Sequence, residues 1–237
     1  MEIERLSFPE AVEFLARRAG IPIDQSSAGS SEFVKRERVV RANEAAREFF
    51  AKWLAAPSGI AAREYLHRRG FDESTIRSAS IGYAPEGWQT LIDALAGIGI
   101  QRDEVLEAGL AVENERGRAY DRFRNRVTFA IRDPHGRVVG FGARTLGEEQ
   151  PKYLNSPETP VFSKSALLYG LFEARDSIIR SGYALLMEGY TDVIACRMKG
   201  VDNCCATLGT ALTEQHLKLL KRFADRLGLG YDGDAAG

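Results

Sequence analysis

Tyr183-Ala184-Leu185-Leu186-Met187-Glu188-Gly189-Tyr190-Thr191-Asp192 decides the fold. Five apolar residues make a strand rather than a membrane span, which needs roughly 20. The strand ends on an acid and a glycine. A helix is expected over residues 191–199, with Gly200 as its stop. Residues 201–208 read as a second strand. Thr213 caps a helix running to about residue 226, and residues 227–231 form a third, short strand. A βαβαβ unit of this kind closes into a parallel sheet with right-handed crossovers. The fold class is α/β, with an α+β subdomain ahead of this sheet.

Upstream, the hydrophobic period is 2 rather than 3.6. Phe123, Val127, Phe129 and Ile131 alternate with Arg122, Arg124 and Arg126, so a strand would put apolar and basic sets on opposite faces. Asp133-Pro134-His135-Gly136 is a turn, and residues 137–144 return as the second strand of a hairpin. Residues 151–160 read as loop and 162–179 as helix. Residues 32–109 read as mainly helical: Phe49, Phe50, Trp53, Tyr65 and Leu66 fall at helical spacing and read as packing. Ser7-Phe8-Pro9-Glu10 forms a capping box that opens a helix ending at Gly20. Residues 24–31 are small and polar, a flexible linker. The chain thus divides into 1–23, 24–31, 32–180 and 181–237.

The 237 residues are 44% hydrophobic and 27% charged, enough for a real core and unlike a disordered chain. Formal net charge is −1, so any site for a polyanion must be local. Cys196, Cys204 and Cys205 form no CxxC pair, which fits a reducing, cytoplasmic compartment, and no zinc ligand set is spaced around them. No apolar run is long enough for a membrane span.

Glu188 and Asp192 follow the first strand of the βαβαβ unit; Asp232 and Asp234 follow the third. Open α/β sheets build sites beyond the carboxyl ends of their strands. Clustered carboxylates repel unless a cation lies between them, and hard oxygen donors suit Mg²⁺ or Mn²⁺. Asp232-Gly233-Asp234 also reads as a simple turn, and Glu188 as a helix N-terminal acid. The bland reading must then be invoked twice in one unit. Arg122, Arg124 and Arg126 have no acid between them, whereas a solvated face mixes signs, so a phosphate track is the sharper reading.

These residues resemble a known family. Arg122-Phe123-Arg124-Asn125-Arg126, Gly140-Phe141-Gly142-Ala143-Arg144 and Pro151-Lys152-Tyr153-Leu154-Asn155-Ser156-Pro157-Glu158-Thr159 with Lys164 are similar to the catalytic core of bacterial DnaG-type DNA primases. Glu188-Gly189-Tyr190-Thr191-Asp192, Leu208-Gly209-Thr210 and Tyr231-Asp232-Gly233-Asp234 resemble its Toprim part. The Toprim signature is shared with type IA topoisomerases and some nucleases; the block from Pro151 to Thr159 is more specific to primases. The resemblance makes residues 181–237 a partial Toprim domain and 32–180 the N-terminal primase core.

The resemblance implies synthesis of short RNA primers on single-stranded DNA from ribonucleoside triphosphates. Glu188, Asp232 and Asp234 would be catalytic and, with Asp192, would hold Mg²⁺ or Mn²⁺. Arg122, Arg124, Arg126, Arg144, Lys152, Asn155 and Lys164 would bind template and triphosphate. The family adds a zinc ribbon, which would precede the helix in residues 1–23, and a replicative helicase as partner. No zinc ligand set is present ahead of Ser7, so the chain reads as a core truncated at both ends. Two other readings stand beside it: a catalytically inactive module that binds single-stranded DNA or nucleotide, and a Toprim nuclease.

Overall fold

The computed structural model describes residue 18 and residues 27–231, with side chains from residue 31 onward. The capping box at Ser7 and both Asp232 and Asp234 lie outside the described residues. Helix α1 spans Ser27–Ala55, so helix replaces the expected linker from residue 27 onward. Serines and glycine are weak helix formers, but extending an existing helix adds one hydrogen bond per residue fixed. The existing part is well anchored: Val39, Ala42, Ala46 and Phe50 are buried against a sheet.

That sheet has four antiparallel strands in the order β1-β4-β5-β6: β1 Ile81–Ala84, β4 Arg126–Arg132, β5 Val138–Thr145 and β6 Tyr153–Asn155. A short separate hairpin, β2 (Ala111–Glu113) with β3 (Ala119–Asp121), precedes β4. β1 lies inside the stretch expected to be helical. Its four residues are all buried, so no alternation marks it. Phe50 on α1 approaches Gly82 so closely that a Cβ there would lie 2.5 Å from the phenylalanine Cβ. The expected β4–β5 hairpin is present, with Phe129 opposite Gly142.

Both faces of this hairpin are covered. Val127, Phe129 and Ile131 face one core, shared with α2 (Ile60–Arg68) and α3 (Glu73–Ser78). Ala130, Val138, Phe141 and Ala143 face another, beneath α1, α4 (Thr90–Ala96) and α5 (Arg102–Glu107).

The βαβαβ unit is a parallel sheet in the order β8-β7-β9, with β7 Tyr183–Met187, β8 Cys204–Ala206 and β9 Arg226–Gly230. Helix α7 (Tyr190–Met198) and helix α8 (Glu214–Leu220) make its crossovers, and α6 (Leu171–Ser181) leads into it. α6 starts nine residues later than expected, because residues 162–170 form turns pinned by Tyr169, which exchanges backbone hydrogen bonds with Ala206 at 2.8 and 3.0 Å. The core under α2 continues without a break into Tyr190, Val193, Cys204, Ala206 and Leu208, so the two sheets share one seam. Among the described residues, no helix is long and apolar enough to cross a membrane.

Candidate functional site

The seam opens as a cleft of about 360 Å³, walled by Tyr153 and Asn155 from the antiparallel sheet. The parallel sheet contributes Glu188, Thr191, Asp192, Thr207 and Gly209. Parallel pairing of Met187 with Gly230 delivers residue 188 beside residue 231. Accordingly, burial and the Glu188 charge together push the Tyr231 phenol up. Glu188 is exposed at the cleft, as expected for an acid just past a strand end. Asp192 Oδ2 accepts the Gly189 N–H at 3.0 Å, which caps α7 and leaves its second oxygen uncommitted by that bond. The donors that gather here are hard oxygens, which fit a small divalent cation. Among the described residues, only two carboxylates reach the cleft, and no group of three His, Cys, Asp or Glu side chains is arranged to hold a metal.

Asn155 locks the seam. Its Nδ2 donates to the Leu208 carbonyl at 2.7 Å and its Oδ1 accepts from Tyr190 Oη at 2.5 Å. Its own carbonyl accepts Arg122 Nε and Nη2 at 3.2 and 3.1 Å. Tyr190 is buried, which pushes its phenol up, opposed by the bond to Asn155.

The expected row of strand cations does not form. Asn125 has φ 49°, in the left-handed region, and β4 begins only at Arg126. Asparagine tolerates that conformation, and its Oδ1 accepts Tyr83 Oη at 3.2 Å. Arg122 and Arg124 therefore sit on irregular chain, not on a strand face. Arg122 is half-buried, and burial lowers its pKa. Arg124 lies over the Trp88 ring at 4.2 Å and the Tyr120 ring at 5.2 Å, and its Nη1 also donates to the Asp121 carbonyl. Arg126 is buried and donates to the Pro151 carbonyl at 2.8 Å.

Arg144, paired with Tyr153 across β5 and β6, and Lys152, next to Tyr153 in the chain, are held differently. The Arg144 guanidinium stacks 4.5 Å from the Tyr65 ring and 5.9 Å from the Tyr153 ring, so aromatic faces position it rather than carboxylates. Its Nε is buried without a hydrogen-bond partner. Lys152 is exposed, while its carbonyl accepts the Thr145 N–H at 3.0 Å. Tyr65, read from sequence as helix packing, thus also holds Arg144. Its spacing gives no sign of this, because Arg144 is 79 positions away in the chain. Tyr190 was legible only as part of a motif, and its contact with Asn155 has no sequence signal.

An antiparallel sheet joined along a shared core to a Toprim-like parallel sheet, with acids and stacked cations around the seam, defines a class of nucleic-acid enzyme core. Residues 49–175 match the family model of the DNA primase catalytic core N-terminal domain, and residues 185–237 match a Toprim-like model. The chain is 45% identical over its whole length to a DNA primase of Halalkalibacterium halodurans, and 40% identical to that of Escherichia coli. It spans 40% and 41% of those two proteins. A solved DnaG primase catalytic domain bound to ssDNA superposes with TM-score 0.79 at 42% identity, covering 86% of this chain and 66% of that one. The RNA polymerase domain of Mycobacterium tuberculosis primase DnaG gives TM-score 0.81 at 38% identity, covering 85% and 68%. The chain belongs to the DnaG-type DNA primase catalytic-core family. Membership implies use of divalent metal ions; a solved Aquifex aeolicus primase comprising zinc-binding and RNA polymerase domains superposes with TM-score 0.78 at 36% identity, covering 99% of this chain and 56% of that one.

Proposed function

We propose that this chain is the part of a DNA primase that binds single-stranded template and ribonucleoside triphosphate and carries the acids for nucleotidyl transfer. The observation that supports this best is the cleft itself: Tyr153, which stacks on Arg144, lines the same cleft as Glu188. Arg144, beside Tyr153, and Glu188 would thus serve one opening, the cation for phosphate and the acid for metal. Glu188 would hold Mg²⁺ or Mn²⁺ with Asp232 and Asp234, and Asp192 would support it. A bound divalent ion supplies charge stabilisation at the transferring phosphate. Arg144, Lys152, Lys164 and Arg124 would hold phosphates of template and triphosphate in place. Arg122, Arg126 and Asn155 act behind them, since their polar groups are spent on the fold. Phosphate contacts fix position without reading sequence, which suits an enzyme that copies varied templates. The setting is the bacterial replisome in the cytoplasm, with RNA primer as product and the replicative helicase as the partner of the full-length protein.

The test combines single-stranded DNA, Mn²⁺ or Mg²⁺ and labelled ribonucleotides. Short metal-dependent RNA products are expected, lost in Glu188→Gln while DNA binding in metal-free buffer stays within about twofold. Salt-sensitive binding with no product from the parent chain would reduce it to a binding module. Nicked DNA would make it a nuclease.

A further inference from the structure

Lys164 is held in an unusual way for a surface lysine. Its N–H donates to Glu158 Oε1 at 3.0 Å, and its carbonyl faces His216 Nε2 at 2.9 Å. His216 is completely buried at the start of α8. The Thr213 N–H donates to His216 Nδ1 at 3.2 Å, which makes Nδ1 the acceptor and leaves the ring proton on Nε2, where it donates to Lys164. The tautomer is therefore set by the fold. Thr213 Oγ1 donates to the next carbonyl, that of Ser165, at 2.6 Å, while accepting the His216 N–H at 3.2 Å. Three hydrogen bonds thus fix the backbone on both sides of Lys164, two of them from residues about 50 positions later in sequence. No acid pairs with the Lys164 ammonium among the described residues.

This arrangement is costly for a merely structural loop. A buried imidazole and a threonine hydroxyl are spent to order a segment whose charged end pairs with no acid among the described residues. Such preordering lowers the entropy lost when an anion binds that end. The position fits: only three residues separate Gly209, which lines the cleft, from Thr213, whose hydroxyl holds the Ser165 carbonyl. That is a reach of at most about 14 Å.

We propose that His216 and Thr213 are positioning residues for the primase site, seating Lys164 so that its ammonium meets a phosphate at the cleft. The inference rests on the reading of Lys164 as a phosphate contact given above. The ligand chemistry is a phosphate oxyanion, from either a triphosphate or a DNA backbone. Neither residue touches the ligand; His216 acts through the Lys164 carbonyl and Thr213 through the neighbouring carbonyl of Ser165.

The test measures binding of ATP and, separately, of an oligo-dT strand in metal-free buffer. The proteins are the parent chain, Lys164→Ala, His216→Leu and His216→Gln. Loss of Lys164 should weaken one of the two ligands roughly tenfold, as expected for one charged hydrogen bond. The ligand affected identifies the source of the phosphate. His216→Leu should weaken the same ligand by a similar factor, with little further loss when combined with Lys164→Ala. His216→Gln places an amide N–H near the Nε2 position and should restore most of the affinity. If His216→Leu does not fold, Thr213→Val and its rescue by Thr213→Ser carry the same test through the Ser165 carbonyl. A folded His216→Leu or Thr213→Val protein that binds both ligands like the parent, while Lys164→Ala weakens one, overturns the positioning role alone. No effect of Lys164→Ala on either ligand overturns the phosphate role of Lys164, and the positioning role with it.

Discussion

Replacing Gly142 with alanine tests how the two sheets are joined. Gly142 sits in the middle of β5, paired with Phe129 on one side and Asn155 on the other, so its backbone cannot retreat. A Cβ there would lie 2.3 Å from Tyr190 Cε2 and 2.7 Å from its hydroxyl. Carbon atoms in contact sit about 3.5–4.0 Å apart, so the ring must move by more than 1 Å. It has little room. Tyr190 is 7% exposed, with its ring 4.8 Å from Tyr169 and 5.5 Å from Phe129 between centroids. A shift of that size takes its hydroxyl out of reach of Asn155 Oδ1, now 2.5 Å away. Overpacking costs about 1–3 kcal/mol and the lost hydrogen bond about 1 kcal/mol more, so Gly142→Ala should destabilise by about 3 kcal/mol. Tyr190→Phe, which loses only the hydroxyl, should cost about 1 kcal/mol. Equilibrium urea unfolding of both variants measures the difference at unchanged m-value. A Gly142→Ala protein within 0.5 kcal/mol of the parent would show that the tyrosine does not occupy the space above β5, and the account of the seam would fail.

Asp121 gives a pH test. Burial pushes its carboxyl up to about 6, against the Leu91 and Ile92 N–H groups that donate to it at 2.7 and 3.1 Å. The folded pKa lies above the ordinary 3.8, so the stability it adds is full below about 4 and lost as pH rises through 6. Unfolding free energy should therefore rise by up to roughly 3 kcal/mol between pH 7 and 4 relative to Asp121→Asn; parallel pH profiles for the two proteins would refute this. Among the arginines, Arg144→Ala should lower the salt slope of single-stranded DNA binding by about 0.7, the value for one phosphate contact. Arg126→Ala should leave that slope unchanged and lower the urea midpoint instead, because its guanidinium is spent on the Pro151 carbonyl. The reverse pattern would exchange their roles.

The parallel sheet was legible because an apolar run followed at once by an acid and a glycine has few other uses. All three of its strands and its first crossover helix lie where the sequence puts them, within a few residues; α8 starts as expected but ends at Leu220, not near residue 226. The basic stretch was legible as composition but not as geometry. Arginine holds the even positions through Arg126, but Asn125 takes an odd position where the pattern has an apolar residue, and it is there that the chain turns. Burial of the arginines was equally hidden: a guanidinium directed at a carbonyl looks, in sequence, the same as one directed at solvent. β1 was missed because both its faces are covered, which removes the alternation that marks a half-buried strand. Tyr65 and His216 act on residues 79 and 52 positions away, respectively, and no local pattern encodes such pairs.

The seam explains why the charged residues divide as they do. The candidate acids and the candidate phosphate-binding cations sit on different parts of the fold: Glu188 and Asp192 follow β7, whereas Arg144 lies on β5. The shared core supplies adhesion without direction, since apolar contacts tolerate sliding. Direction has to come from hydrogen bonds across the seam, and those come from residues that the sequence offered as ligands. Asn155 spends both ends of its amide and its carbonyl on Leu208, Tyr190 and Arg122. Arg122 is in turn spent on Asn155. Polar residues clustered near such a site are therefore of two kinds. One kind has its donors directed at backbone carbonyls and sets the spacing. The other is held by aromatic faces or by its own backbone, as Arg144 and Lys164 are.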